Sequence, residues 1–186
     1  MRLHRFAAPA ALAAVGAVTA AVVSARAAMP VGNRAVPGPA KPVDIAAYAG
    51  LWYEIGRYDN RFERGCEAVT AEYALRDDGK VSVTNRCRAG GVEGRVRTAH
   101  GVAKIVPDSG GAQLKVSFFG PFYFGDYWVL DHANDYGWSI VGEPSGRYLW
   151  LLSRSAHPDA ATRAMIETRV RQLGYDTGLI RPTLQP

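Results

Sequence analysis

Val69-Thr70-Ala71-Glu72-Tyr73-Ala74-Leu75-Arg76-Asp77-Asp78-Gly79-Lys80-Val81-Ser82-Val83-Thr84-Asn85-Arg86-Cys87 reads as a β-hairpin. Asp77-Asp78-Gly79 is a loop with glycine last, which suits a type I turn closed by a left-handed residue. That turn pairs Leu75 with Val81, Tyr73 with Val83, Ala71 with Asn85 and Val69 with Cys87. The mostly apolar odd-numbered residues then share one face, while Thr70, Glu72, Ser82, Thr84 and Arg86 share the other. A register with one dry and one wet face is strongly specified, because a slip of one residue would exchange the faces.

The same rhythm extends both ways. Leu51–Tyr58 precedes the hairpin strands Ala68–Leu75 and Val81–Cys87, and Arg95–Val106, Gln113–Phe119, Tyr127–Leu130, Trp138–Val141 and Tyr148–Ser153 follow, each bounded by turn residues. Eight antiparallel strands on short loops make an all-β, up-and-down β-barrel, whose interior has room for one small ligand. Beyond the last strand, Ser155 and Asp159 flank Pro158 where a helix would begin. Ala161, Ala164, Met165, Thr168 and Leu173 recur at helical spacing, opposite Arg163, Glu167, Arg169 and Arg171, and Gly174 ends the run. This is expected to be one C-terminal α-helix packed outside the barrel, with Leu179-Ile180 adding a short strand after it.

Residues 1–27 read as a cleaved signal peptide. Arg2, His4 and Arg5 lead a charge-free run from Ala7 to Val23, and Ser24-Ala25-Arg26-Ala27 supplies the small residues of a cleavage site. Removing Arg2, Arg5 and Arg26 takes the formal charge from +5 to +2, and no basic run survives to hold nucleic acid. Residues 28–43, with Pro30, Pro37, Pro39 and Pro42, read as a tether, and 44–186 as the barrel domain. The two cysteines, Cys66 and Cys87, both lie in the exported part, where a pair becomes a disulfide. Neither follows the signal region, where a lipoprotein would be acylated, so the expected location is the periplasm or the medium.

Nothing in the sequence assembles a catalyst. His100, His132 and His157 stand in separate segments without metal spacing, and there is no phosphate-cradling glycine loop or nucleophile elbow. No cofactor and no enzymatic activity are expected. Aromatic residues dominate the strands instead: Tyr58, Tyr73, Phe118, Tyr127, Trp128, Trp138, Tyr148 and Trp150. They either fill the barrel or line a cavity, and periodicity alone leaves both open.

Gly50-Leu51-Trp52-Tyr53-Glu54-Ile55 resembles the Gly-x-Trp signature that opens the first strand of lipocalins. Leu149-Trp150-Leu151-Leu152-Ser153-Arg154 resembles their last-strand signature, in which an arginine packs over that tryptophan. Threading the strands up and down puts Trp52 and Arg154 at the same, closed end. Arg61-Phe62-Glu63-Arg64-Gly65, Leu75-Arg76-Asp77-Asp78-Gly79 and Leu114 to Phe122 are similar to one branch, the bacterial outer-membrane lipocalins related to apolipoprotein D. The middle signature departs from the family pattern, with Asn134-Asp135-Tyr136 at best.

The resemblance implies storage or carriage of a small hydrophobic ligand, a fatty acid or lysophospholipid, in envelope lipid transport or maintenance. Tyr73, Val83, Phe118, Tyr127 and Trp150 are then the expected cavity residues, Asn85 and Arg57 the polar contacts to a head group, and Gly50, Trp52 and Arg154 the structural base. The alternative on the same barrel is a lipid-modifying enzyme of isomerase or de-epoxidase type, which would use an inward thiol, for which Cys87 is the one candidate, or a close carboxylate pair. The threading also puts Cys66 and Cys87 at the open end, where their bond requires a bend at Gly65 or a bulge near Glu67. The loop Phe119–Phe124 shares that end. It either folds back as a lid or touches a membrane or a second subunit as a homodimer.

Overall fold

The computed structural model describes residues 29–186, so the proposed signal segment lies outside the described residues. Asp44 starts a single turn, α1 (Ile45–Tyr48), its carboxylate accepting from the amides of Ala46 at 2.9 Å and Ala47 at 3.3 Å. Eight strands follow: β1 (Gly50–Tyr58), β2 (Cys66–Leu75), β3 (Val81–Ala89), β4 (Arg95–Ile105), β5 (Gln113–Ser117), β6 (Gly125–His132), β7 (Trp138–Gly142) and β8 (Leu149–Ser153). Each pairs antiparallel with the next, and β1 pairs with both β8 and β2, which closes an eight-stranded barrel.

The hairpin register is as read from the sequence at Leu75–Val81, Tyr73–Val83 and Ala71–Asn85. Nearer the open end it shifts. Glu67 faces Arg88 and Thr70 faces Arg86, so both Ala68 and Val69 stand opposite Cys87. This bulge, with Ala68 at φ 48°, swings Cys66 inward, and the Cys66–Cys87 disulfide forms with Cα atoms 5.5 Å apart.

Two apolar cores flank the barrel wall. Inside, Trp52, Tyr73, Val81, Val83, Ala103, Leu114, Val129, Val141 and Leu152 pack together with Tyr48. Outside, Ile55, Leu130, Ile140, Leu149 and Leu151 pack under α2 (Ala160–Gln172), joined by the half-buried Trp128 and Trp138. The helix buries Ile166, Val170 and Leu173, whereas Ala161, Ala164, Met165 and Thr168 are exposed. The inner stripe therefore differs from the one expected. Two stripes share helical spacing, and the one with the branched aliphatic side chains removes more apolar area from water.

The segment from residue 29 to 43, expected as a tether, is laid along the barrel. The amides of Gly32 and Asn33 donate to Gly146 O, Ala40 N to Leu130 O at 2.8 Å, and Val43 N to Gly110 O at 2.9 Å. Asn33 Nδ2 donates to Leu173 O at 2.9 Å and so satisfies a carbonyl at the end of α2. Backbone and capping bonds anchor the segment where apolar side chains are few.

The far end of the chain is likewise structural. β9 (Ile180–Pro182) pairs with the upper half of β1, from Gly56 to Tyr58, beyond the point where β1 leaves β2. Leu184 O then accepts from Ala68 N at 2.7 Å, and Gln185 Nε2 donates to Glu54 O at 2.8 Å and Val69 O at 2.9 Å. The tail thus wedges the seam between β1 and β2.

Candidate functional site: the barrel interior and its mouth

The base is built around Trp52, which is fully buried. Its indole Nε1 donates to Tyr48 O at 2.9 Å, and the Arg154 guanidinium lies 3.8 Å over its ring. Arg154 also donates to the carbonyls of Ala47, Tyr48, Ala49 and Leu51, which ties the end of α1 to the start of β1. Gly50 makes this possible. Its φ of 95° turns the chain from α1 into β1, and a Cβ there would sit 3.4 Å from Arg154 Nη1.

Above the base lies a layer of phenols. Tyr127 Oη is 2.9 Å from both Tyr48 Oη and Tyr73 Oη, and Tyr48 Oη is 3.0 Å from Ser139 Oγ. Burial pushes the Tyr48 phenol up to about 12, against the hydrogen bonds to Ser139 and Tyr127, and burial raises Tyr73 and Tyr127 as well. The stability these neutral phenols contribute is fully present below the free phenol pKa, about 10, and is lost as pH rises through the folded values. Denaturant unfolding measured against pH should therefore show a steep fall in stability above pH ~10. Tyrosinate absorbance should rise with unfolding; ionisation of all the phenols in the folded protein at pH ~10 would contradict the buried layer.

Over the phenols the barrel opens. On β3 the inward residues are Val81, Val83, Asn85 and Cys87, and their partners on β4 are Ala103, Gly101, Ala99 and Arg97. From floor to mouth, Ala103 is buried, Gly101 half-buried, and Ala99 and Arg97 exposed. The floor at Ala103 is packed, whereas from Gly101 upward β4 pairs with β3 alone, so the inner wall there is open to solvent and forms one side of a cup. Phe118, just past β5, leans over Gly101, where a Cβ would come within 2.9 Å of its ring. Small side chains at Ala71, Ala99 and Gly101 keep this wall recessed.

The opposite wall is polar, and its side chains pair largely with one another, although Arg57 Nε is buried without a hydrogen-bond partner. Arg57, on β1 after a bulge between Glu54 and Gly56, donates from Nη1 to Glu54 Oε1 at 2.5 Å and to Thr183 Oγ1 at 3.0 Å. Its Nη2 donates to the carbonyls of Glu63 and Cys66. Burial raises the Glu54 carboxyl well above the usual carboxylate range, the Glu63 charge adds to this, and Arg57 opposes it. Trp150 Nε1 donates to Glu63 Oε2 at 3.0 Å, and Asn60 donates to the same carboxylate. Arg57, expected to meet a head group, has instead spent its Nη donors on the protein, because a buried guanidinium without partners would be too costly to keep.

The structure brings Tyr73, Val83, Asn85, Tyr127 and Trp150 to the inner face, with Phe118 at the rim. The inward Arg97 and Arg95 were missed in the sequence, although their places opposite Cys87 and Ala89 follow from the β4 alternation. Of the rings in the loop after β5, Phe119 is 87% and Phe124 83% exposed, and Phe122 stacks on Phe124 at 5.6 Å. These rings point to solvent rather than folding back as a lid.

A groove of about 1210 Å³ lies outside the barrel, lined among others by Lys41, Asp131, Trp138, Arg154, His157 and Arg169. It is wide open, and Asp131 is already paired with Arg169 at 2.5 Å and with Lys41 at 3.7 Å. A hydrocarbon chain laid there would stay wet, so this groove does not suit a lipid. Among the described residues no cluster of side chains could hold a metal ion.

The model of the lipocalin-like domain matches residues 43–185. The chain is 43% identical over 176 residues to the outer membrane lipoprotein Blc of Citrobacter freundii, covering 94% of this chain and 97% of that one. It is 34% identical over 128 residues to apolipoprotein D of Macaca fascicularis, covering 64% and 65% of the two chains. Among solved structures, insecticyanin from the tobacco hornworm Manduca sexta superposes with a TM-score of 0.63 at 23% identity, covering 82% of this chain and 89% of that one.

Proposed function

The chain belongs to the lipocalin family, and on that premise we propose that it binds a single-chain lipid, a fatty acid or lysophospholipid, and carries it within the cell envelope. The observation that carries this reading is the solvent-reached inner wall at Ala99 and Gly101 above a dry floor of Tyr48, Tyr73 and Tyr127. An acyl chain entering the cup lies against Tyr73, Val83, Phe118, Tyr127 and Trp150 and leaves water at about 0.8 kcal/mol per methylene. Ten methylenes contribute about 8 kcal/mol, which ordering costs reduce to micromolar or weaker affinity.

The disulfide supports an oxidising compartment, and we assign the protein to the periplasm after signal cleavage. The exposed Phe119, Phe122 and Phe124 support peripheral membrane contact beside the mouth, where a lipid would be collected or delivered. A homodimer through the same rings is the competing use of that surface, and sedimentation at micromolar concentration separates the two. We assign no enzymatic activity. Of the two features the isomerase-type alternative would use, the Cys87 thiol is held in the disulfide, and the Glu54 and Glu63 carboxylates are both engaged by Arg57.

The test is displacement of a fluorescent fatty acid from delipidated protein. Ala99→Trp should fill the recess and weaken binding by at least about tenfold, with little change in thermal midpoint since the site is open. Probe that binds wild type and this variant alike would mean the chain is held elsewhere.

A further inference from the structure

Resting on the lipid-binding reading, we propose that the mouth of the barrel selects ligands with an acidic head group, a carboxylate or a phosphate, and that Arg97 is the cation that receives it. The inner and outer faces of the wall at this height differ in a telling way. On the outer face Arg86 is paired with Glu72 at 2.9 Å, and Arg88 donates to Gly94 O at 3.2 Å. On the inner face, among the described residues, Arg95 and Arg97 have no carboxylate within ion-pair distance. Arg97 makes one hydrogen bond, at 3.8 Å, to Cys66 Sγ, a weak acceptor.

Asn85, one step deeper on the adjoining strand, has its Oδ1 buried without a partner. An amide there can turn to present its NH₂ group as a second donor. Glu63, a carboxylate of the opposite wall, is engaged by Arg57, Asn60 and Trp150. Two inward guanidinium groups with unspent donors therefore stand over an apolar cup, at the level where the polar end of an inserted chain would rest. A guanidinium fork matches a carboxylate or phosphate in charge and geometry. Both arginines are exposed, so the preference should shrink as salt screens it.

The experiment compares dansyl-undecanoic acid with its methyl ester, which share a chain and differ in head-group charge. Wild type at low ionic strength should bind the acid about tenfold more tightly than the ester, since one charge-assisted contact separates them. That ratio should fall to near one in Arg97→Gln and below one in Arg97→Glu, whereas the control Arg171→Gln on the exposed face of α2 keeps it. Circular dichroism checks that each variant is folded. A wild-type ratio of one, or a ratio unchanged by Arg97→Gln, overturns the head-group assignment while leaving the barrel site intact. Failure of both acid and ester to bind overturns the lipid-binding reading and this inference with it. Competition by oleate, lysophosphatidate and zwitterionic lysophosphatidylcholine then distinguishes carboxylate from phosphate. Lysophosphatidylcholine displacing the probe as well as both anions would also count against selection by charge.

Discussion

Trp52→Ala should lower the unfolding free energy by about 3 to 5 kcal/mol, measured by urea denaturation. The indole is fully buried and is held from three sides: its ring lies 4.9 Å from that of Tyr48 and tilted to it, Arg154 covers it, and its N–H bonds to Tyr48 O. Truncation removes a large apolar group, opens a cavity under the barrel, and leaves Arg154 without its aromatic platform. Typical domains have about 5 to 15 kcal/mol of stability, so the variant is expected to be partly unfolded at growth temperature. Trp52→Phe keeps most of the buried area and should recover much of the loss. A midpoint for Trp52→Ala within experimental error of wild type would mean that the base is not what holds β1 and β8 together.

Arg57→Leu should be comparably damaging, by about 3 to 5 kcal/mol, for an electrostatic reason. It leaves the Glu54 carboxyl inside the wall beside Glu63 with no counter-ion and only the hydrogen bond from Thr183 on the tail. The diagnostic result is the double variant. Glu54→Leu with Arg57→Leu removes the stranded carboxyl, so it should be more stable than Arg57→Leu alone, with a coupling of about 1 to 3 kcal/mol in the double-mutant cycle. Additive losses would show that the two side chains do not act as a pair.

Much of this molecule could be read from local chemistry. Asp77-Asp78-Gly79 set the hairpin register, and the alternation that followed from it placed Tyr73, Val83 and Asn85 on the inner face. Trp52 and Arg154 announced a shared base through their motifs. The disulfide was expected together with the irregularity it needs, and the doubled residues opposite Cys87 supply it.

What stayed hidden was non-local. Asn33 and Ala40 gave no signal of packing, because their anchors are carbonyls of β6, the β7–β8 turn and α2, far along the chain. Arg57 looked like a free cation on a strand, since its partners Glu63 and Thr183 approach only through the first loop and the tail. The inner stripe of α2 was misassigned because Met165 and Ile166 are adjacent, and spacing alone does not say which of them meets the wall. Arg97 could have been found by extending the β3 alternation across the next loop.

The wedge at the seam has a bearing on how the protein is made. Its strand is the last of the nine to leave the ribosome or the translocation channel, and it contacts the first. A nascent chain can wind seven turns of sheet early, from neighbours close in sequence, but must wait for that late segment before its gap is shut. Until then the buried-to-be Glu54 and Arg57 lack Thr183 and stay wet, so the half-made protein exposes a soft edge to proteases and chaperones. Quality control of this protein would thus act chiefly on whether β9 has arrived.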